Sequence, residues 1–259
     1  MDGSAESVIP MVPLERAYLE QVLGDDLSFA AATAMSFGAI GCLYALESVL
    51  SEKELERPHA NVVRFAAKCI GSIGFLVAAM NLAAAMPVVD ASTTLMLVAL
   101  ILCAVGDLFL VRESTFTVGL FTFLAGHVGF ALSFMAAGLD PYSAALAVPL
   151  LLPVLLAVKV YLFPLVPKAQ LGMVQLYSLA IYAMAVLAAG TRRHDTFIAA
   201  LLFIASDIGV SLGHFVRTTA ATRASVFLYY AAQAIFAHTI SHRSSVDVVT
   251  AIEEATLTK

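Results

Sequence analysis

The stretch that decides the fold is ALILCAVGDLFLVRES, residues 99–114, in which Asp107 stands near the end of a long apolar run. The run is long enough to cross a bilayer, and a carboxylate at that depth costs about 2.5–3.5 kcal/mol. The chain carries this cost twice, because LLFIASDIGVSL, residues 201–212, places Asp207 inside another such run. Intramembrane acids are functional by default, so the sequence predicts a membrane protein that uses both carboxylates.

The composition favours a membrane protein over a soluble helical one. Of the 259 residues, 61% are hydrophobic, and the mean hydropathy is +0.91, whereas a soluble domain needs only about 45–50% apolar residues. The net charge is −5, and no basic stripe could neutralise phosphates, so nucleic acid is excluded as a partner. Cys42, Cys69 and Cys103 lie in apolar runs without metal-ligand spacing, and we expect them to pack without forming disulfides.

Apolar segments of membrane-spanning length recur along the chain, separated by short polar breaks. They predict an all-α, polytopic membrane helix bundle with about eight transmembrane helices, at residues 27–46, 62–85, 91–111, 115–137, 143–163, 170–190, 196–216 and 223–241. This membrane domain covers residues 27–241, between a polar acidic tail at 1–26 and a polar tail at 242–259. Pro149, Pro153 and Pro164 predict a kink in the fifth helix.

The segments also predict an orientation and a repeat. Loops that lead from odd to even helices hold a small excess of Lys and Arg. This side of the membrane, named the basic side, is expected in the cytoplasm, with both termini on the opposite side.

CAVGDLFLV (103–111) and FIASDIGVS (203–211) both place a small residue before Asp and an apolar run after it. Equivalent positions would mean a four-plus-four parallel repeat, and the alternative is a chance similarity of apolar segments.

Further polar side chains fall in the half of the membrane nearest the basic side. With a rise of about 1.5 Å per residue, Asp107 lies roughly 6 Å and Asp207 roughly 14 Å from that end of their helices. Because buried polar groups need partners, we expect one cavity open toward the basic side. Its candidate catalytic residues are Asp107, Asp207 and His127, and its candidate substrate-binding residues are Lys68, Tyr177, Tyr230 and Gln233.

Several of these side chains could also have a purely structural role. His127 alone could be a core histidine, the tyrosines could lie at the membrane interface, and Lys68 could extend to the headgroups. His238 and His242 stand four residues apart, as metal ligands can, but at the opposite end of the membrane from Asp107, so no metal site is predicted. A proton-coupled transporter also holds acids and a histidine at membrane depth, and it is the main alternative to an enzyme.

Five motifs occur together along the chain: GDLFLV (106–111), GLFTFLAGHVGF (119–130), LYSLAIYAM (176–184), LLFIASDIGVSLGHF (201–215) and YYAAQ (229–233). In this order and spacing they resemble the lysoplasmalogenase family, also called YhhN-like, whose members are eight-span membrane proteins. Lys68, in FAAKCIGS, resembles an early membrane lysine of that family. The chain departs from the family pattern at Cys69, Phe130 and His214, where proline, tyrosine and arginine are usual, which bears on headgroup preference.

The resemblance implies an ether hydrolase that cleaves the vinyl ether bond of lysoplasmalogens, releasing a fatty aldehyde and glycerophosphocholine or glycerophosphoethanolamine. For that reaction, Asp207, which lies deeper in the bilayer, is the candidate acid, and Asp107, expected nearer to Lys68 and to water, is its ionised partner, or the reverse; His127 would orient water or Asp207. Lys68 and Arg112 would hold the phosphate, and no cofactor or metal is implied. The expected partners are a lysophospholipid within the bilayer and the membrane itself, in the endoplasmic reticulum of a eukaryote or the inner membrane of a bacterium; a homodimer is left open.

Overall fold

The computed structural model describes residues 28–45, 58–86 and 88–240 of the chain. This part has no strand and contains eight long helices: α1 (Ser28–Ala45), α2 (Pro58–Ala84), α3 (Ala91–Phe109), α4 (Phe116–Ala137), α5 (Pro141–Ala157), α6 (Lys168–Gly190), α7 (His194–Val216) and α8 (Thr219–His238). The predicted all-helical architecture is confirmed, with helix ends that differ by a few residues. The predicted tails, 1–26 and 242–259, lie outside the described residues.

The helices are suited to a membrane by length and composition. Seven of them, α1 to α7, are long and apolar enough to cross it, which makes the chain a multi-pass membrane protein. Helix α8 has 20 residues, a length of about 30 Å, but it is less apolar. Ser225, Tyr230 and Gln233 are buried in the bundle, whereas Thr222 and Arg223, near the basic-side end of α8, are exposed. Most of the polarity of α8 beyond its first turns therefore belongs to the interior.

Helix α5 changes type near its end. Pro149 and Pro153 lie inside its α-helical part, which is followed by a π-helical turn at Val158–Leu162 and a 3-10 turn at Phe163–Leu165. Pro164 has no backbone N–H, and its ring clashes with a preceding carbonyl in a regular α-helix, which disfavours that geometry in the turn before it. The distortion predicted from the three prolines is therefore placed at the basic-side end of the helix, before Pro164.

The order of helix neighbours is the same in the two halves of the chain. Helix α3 packs along α4, and α7 packs along α8. Helix α2 lies against α3 and α8, while α6 lies against α7 and α4. Helix α5 packs on α6, as α1 packs on α2 through the bond from the Ser36 hydroxyl to the Gly71 carbonyl. This pattern agrees with the four-plus-four parallel repeat predicted from the two Asp motifs.

Two other carboxylates show what acids do at helix ends. Asp90 accepts a hydrogen bond from the Thr93 amide at 2.6 Å and caps α3. Asp140 accepts one from the Ser143 amide at 2.9 Å and caps α5, and hydrogen bonds from Ser143 hold the pKa of Asp140 below its usual range. These acids satisfy free amides of a first helical turn, a role that does not apply to Asp107 and Asp207 inside their helices.

The contact between α1 and α2 depends on a glycine. A Cβ atom at Gly74 would come within 2.6 Å of the Ala32 carbonyl oxygen and would also clash with the Ser36 hydroxyl. The spacing of small residues in the sequence also predicts close helix contact at Gly38 and Gly41, but no atom of another described helix lies within 4 Å of a Cβ built at either position. Within the part of the chain that the structure describes, a neighbouring helix does not approach these two glycines.

We expect Gly74→Ala to lower the free energy of unfolding by about 1–3 kcal/mol, the usual cost of overpacking, because α1 must move away from α2. Gly41→Ala is the matched control on α1 and should be neutral or stabilising, since Ala is the better helix former by about 1 kcal/mol. Thermal unfolding of both variants in the same detergent measures the difference. Equal melting temperatures for Gly74→Ala and the parent would contradict the packing described here.

Candidate active site

A cavity lies among helices α2 to α8, and both intramembrane aspartates line it. Its polar lining includes Lys68, Asp107, Tyr177, Ser206, Asp207 and Tyr229. Asp107, Asp207, Lys68 and Tyr177 were predicted from the sequence to share a cavity, and the structure brings these four side chains together. The two carboxylates are thus held at one internal surface while 100 residues apart in the numbering of the chain.

Asp107 is paired with a cation and held by a hydroxyl. The Lys68 ammonium lies 3.5 Å from Oδ1 of Asp107 and donates to its main-chain carbonyl at 3.4 Å. The Ser72 hydroxyl donates to Oδ2 at 2.8 Å. Lys68 and Ser72 stand four residues apart on α2 and so share one face of that helix. Both oxygens of Asp107 therefore face donors from α2, one of them charged.

Asp207 has different partners. The Tyr177 hydroxyl on α6 donates to Oδ2 at 2.7 Å, and Nε2 of His127 on α4 lies 3.2 Å from the same oxygen. Nε2 also lies 2.9 Å from the Tyr177 hydroxyl, so the three groups form a triangle. Both contacts converge on Oδ2, and Oδ1 has no hydrogen-bond partner among the described residues.

Burial of the two acids does not follow their depth along the helices. Asp107 lies closer to the basic-side end, yet its side chain is only 4% exposed, whereas the side chain of Asp207 is 17% exposed. The expectation that Asp107 lies nearer to water is wrong in this respect. The reason is packing: α2 and α8 cover Asp107, while Asp207 borders the cavity. Its expected proximity to Lys68 is confirmed.

The remaining predicted side chains lie around the cavity instead of lining it. His127 is fully buried behind Asp207 and Tyr177 and contacts the cavity lining through these two side chains. Tyr230 is buried, and its hydroxyl donates to the Lys68 carbonyl at 3.3 Å. Gln233 is fully buried deeper in the bundle, and Arg112 is exposed in the connection between α3 and α4.

Ser72 is a site residue that the sequence interpretation did not select. A serine within an apolar helix is common, and nothing local marks it as a partner of Asp107. The available signal was its position four residues after Lys68, on the face that already carried a candidate. Tyr229 was noted by depth without a role, and it lies beside Asp107 and lines the cavity.

Aromatic side chains border the cavity at its basic-side end. Phe116 lines it at the start of α4, and His214 stacks on Phe116 with ring centroids 3.6 Å apart and planes inclined by 1°. Next to them, the Arg217 guanidinium donates to Glu113 at 2.7 Å, which links the α3–α4 and α7–α8 connections. The departure from the family pattern at His214 thus replaces a long cation with a ring that stacks at this end of the cavity.

The apolar lining comes mainly from α5, α6 and α7. It includes Leu151, Leu155, Val158, Ile181, Ile204 and Ile208. Helix α5 is largely exposed on its other faces, so this part of the cavity lies at the edge of the bundle, next to the lipid. The cavity therefore has a polar part between the two acids and an apolar part toward the bilayer.

Metal ligands are not clustered in the part of the chain that the structure describes. His238, one member of the histidine pair considered above, packs against Phe29 with ring centroids 5.0 Å apart. The other member, His242, lies outside the described residues.

Lys68→Met should destabilise the fold, because it leaves Asp107 buried without its cation. We expect a loss of roughly 1–3 kcal/mol in thermal or denaturant unfolding, and Arg112→Met, on an exposed side chain of the same side, should have no effect. Adding Asp107→Asn to Lys68→Met should recover part of the loss, since a neutral amide needs no cation. Additive losses in the double variant would show that the two groups do not interact.

Comparison with known proteins places this site within a family. A model of the YhhN family matches residues 63–240, which is more than half of the chain. The matched region runs from within α2 to the end of α8 and contains Lys68, Asp107, His127 and Asp207. No curated protein and no solved structure matches the chain. The extent of the family match shows that the chain belongs to the YhhN family.

Proposed function

We propose that this protein is a lysoplasmalogenase, which hydrolyses the vinyl ether bond of lysoplasmalogens to a fatty aldehyde and a glycerophospho-base. The observation that carries the proposal is the pair of carboxylates on one cavity with different partners: Lys68 and Ser72 at Asp107, Tyr177 and His127 at Asp207. Membership of the YhhN family supports it, and so does the position of the cavity within the membrane.

The chemistry of a vinyl ether explains why two such acids are needed. Its hydrolysis begins with protonation of the alkene carbon, which requires an acid that is still protonated near neutral pH. The resulting oxocarbenium-like carbon is then attacked by water, which requires a base. Glycosidases divide these tasks between two carboxyl groups in different environments, and the same division suits this site.

Asp207 fits the role of the acid. Its partners at Oδ2 are a phenol and an imidazole, and the Tyr177 hydroxyl donates to that oxygen at 2.7 Å. In a protonated carboxyl group the proton then sits on Oδ1, which has no partner among the described residues and belongs to a side chain that borders the cavity. The arrangement presents the proton to a substrate and keeps the acceptor oxygen fixed.

Asp107 fits the role of the ionised partner. The Lys68 ammonium, 3.5 Å from Oδ1, and the Ser72 hydroxyl, 2.8 Å from Oδ2, both stabilise the negative form. A carboxylate at this place favours the positive charge that develops on the substrate. It can also accept a proton from the attacking water.

The reaction needs only the lipid, one water and the two carboxyl groups, and both carboxyl groups return to their starting forms. Asp207 transfers its proton to the second carbon of the alkenyl chain, and the ether oxygen stabilises the positive charge at the first carbon. Water attacks this first carbon and gives a proton to Asp107, which forms a hemiacetal. Asp207 then removes the hydroxyl proton as the carbonyl forms, the bond to the glycerol oxygen breaks, and Asp107 returns its proton to that oxygen.

The cavity suggests how the lipid lies. An ammonium has three donors; Lys68 directs two of them at Asp107, and the third is free to bind the phosphate. The hydrocarbon chain would occupy the apolar part beside Leu155, Ile181 and Ile204, entering from the lipid at α5. Such a substrate is a membrane lipid, so we place the activity in the endoplasmic reticulum membrane of a eukaryote or the inner membrane of a bacterium.

Asp107→Asn and Asp207→Asn should each reduce kcat by about 10²–10⁴, the usual contribution of a general acid or base, while the protein stays folded. The matched control is Asp140→Asn, because Asn is also a good helix cap and Asp140 lies outside the cavity. Aldehyde release by purified protein in detergent or nanodiscs is the measurement. Turnover near that of the parent in either cavity variant would remove that residue from the mechanism.

The purified protein should release aldehyde from 1-alkenyl lysophospholipids and leave the 1-alkyl and 1-acyl analogues nearly unchanged. An alkyl ether has no alkene carbon to protonate, and an ester calls for a nucleophile with an oxyanion hole. Because a proton is transferred to carbon, turnover should be slower in heavy water. Fatty acid release from the 1-acyl lipid at a similar rate would indicate a lysophospholipase, and proton-coupled flux into proteoliposomes without product would indicate a transporter.

A further inference from the structure

Two buried side chains behind the site have polar atoms without a partner. Nδ1 of His127 and both amide atoms of Gln233 make no hydrogen bond with the described residues, and both side chains are fully buried. A buried polar atom without a partner costs about 1–3 kcal/mol, so each calls for an explanation. The Tyr229 hydroxyl also lacks a hydrogen bond of ordinary length, but it lies beside the Asp107 carboxyl group, which is an available acceptor.

His127 and Gln233 lie in the same layer of the bundle. Helices α4 and α8 both start on the basic side and run in the same direction. Their aromatic side chains meet twice: Phe130 with Phe236 at 4.5 Å between ring centroids, and Phe123 with Tyr229 at 5.7 Å. On α4, His127 stands three residues before Phe130 and four after Phe123. On α8, Gln233 stands three residues before Phe236 and four after Tyr229. The two residues therefore occupy the helical turn between two pairs that face each other.

The contacts of His127 determine what its other nitrogen needs. Tyr177 gives its own proton to Asp207, so Nε2 of His127, 2.9 Å from the Tyr177 oxygen, acts there as a donor. A neutral imidazole that is protonated on Nε2 has a bare Nδ1, which accepts a hydrogen bond. The amide N–H of Gln233 is the unused donor in the same layer. The Cys103 thiol also lies beside Gln233, but a thiol is a weak partner.

We propose that Gln233, through one bound water, donates to Nδ1 of His127 and so holds His127 in the form that is protonated on Nε2. Since neither side chain has a direct partner among the described residues, a water between them satisfies Nδ1 of His127 and the amide N–H of Gln233, and the Cys103 thiol beside Gln233 remains for its carbonyl oxygen. Buried waters of this kind are common in proteins. Gln233 is then a positioning residue that acts through His127 on Asp207, and not a substrate contact. This role rests on the proposed function, in which Asp207 delivers the proton.

The test compares substitutions at Gln233 that change its hydrogen bonding at similar size. Gln233→Met removes donor and acceptor, and Gln233→Glu offers a carboxylate that only accepts and therefore favours a proton on Nδ1. Ser225→Ala is the control on α8, since this buried hydroxyl bonds only to the Thr222 carbonyl of its own helix. The readout is the nitrogen NMR spectrum of ¹⁵N-histidine protein in nanodiscs; subtracting the spectrum of His127→Gln identifies His127 among the 6 histidines.

In the parent and in Ser225→Ala, we expect His127 to be protonated on Nε2. Gln233→Met should give a mixture of the two forms, and Gln233→Glu should move the proton to Nδ1. In both, kcat should fall by roughly 10- to 100-fold, the range for residues that orient a histidine, with KM unchanged. A parent His127 protonated on Nδ1, or a spectrum that is unaffected in both Gln233 variants, would overturn the proposal.

The spectrum separates this proposal from the proposed function. A parent protein that releases no aldehyde would refute lysoplasmalogenase activity, and the spectra would still decide whether Gln233 controls His127. Spectra that change as expected while kcat stays constant would refute a positioning role in catalysis. A rise in KM with constant kcat would return Gln233 to substrate binding and contradict the inference.

Discussion

The requirement that a carboxylate inside a membrane bundle be satisfied by protein groups determines how most of these helices meet. Asp107 on α3 takes its partners from α2 and lies beside Tyr229 of α8. Asp207 on α7 takes its partners from α4 and α6. Six helices are therefore joined at the two acids, and α1 and α5 lie outside this set. Removing a partner would leave a buried charge or donor unpaired, which is unfavourable. The acids are therefore surrounded by closely packed polar partners.

The two acids lie on corresponding helices of the two halves of the chain, α3 and α7, but they have different hydrogen-bond partners. In a four-plus-four repeat, α2 and α6 are counterparts, and each supplies a partner of one acid: Lys68 for Asp107 and Tyr177 for Asp207. A cation stabilises a carboxylate, whereas a phenol can serve either form. The different side chains on these two helices therefore suit the division of roles in the proposed function, in which Asp107 is ionised and Asp207 delivers a proton.

In the proposed function, this division connects the fold with a reaction on a lipid. Proton transfer to carbon needs an acid beside an apolar chain, and the apolar lining from α5, α6 and α7 adjoins the cavity surface that holds Asp207. Helix α5 is the outermost helix at this place, and its end carries a π-helical turn, a feature that occurs often at functional sites. Tyr177 lines the cavity beside Asp207, whereas His127 and Gln233 are buried behind the cavity surface, where they can orient the acid without blocking the substrate.

The sequence by itself determined the class of fold, the approximate helix ends and the identity of the two acids, because apolar runs of bilayer length and charges within them are local signals. The similarity between the two Asp motifs and the helix face that Lys68 shares with Ser72 are local signals as well. What only the tertiary structure decided is which side chains meet. Depth along a helix did not predict that Asp107 is the more buried acid, that Tyr230 and Gln233 stand behind the cavity, or that Gly74 but not Gly41 lies at a helix contact. These properties depend on the rotation and neighbours of each helix, and they arise from packing between residues far apart in the chain.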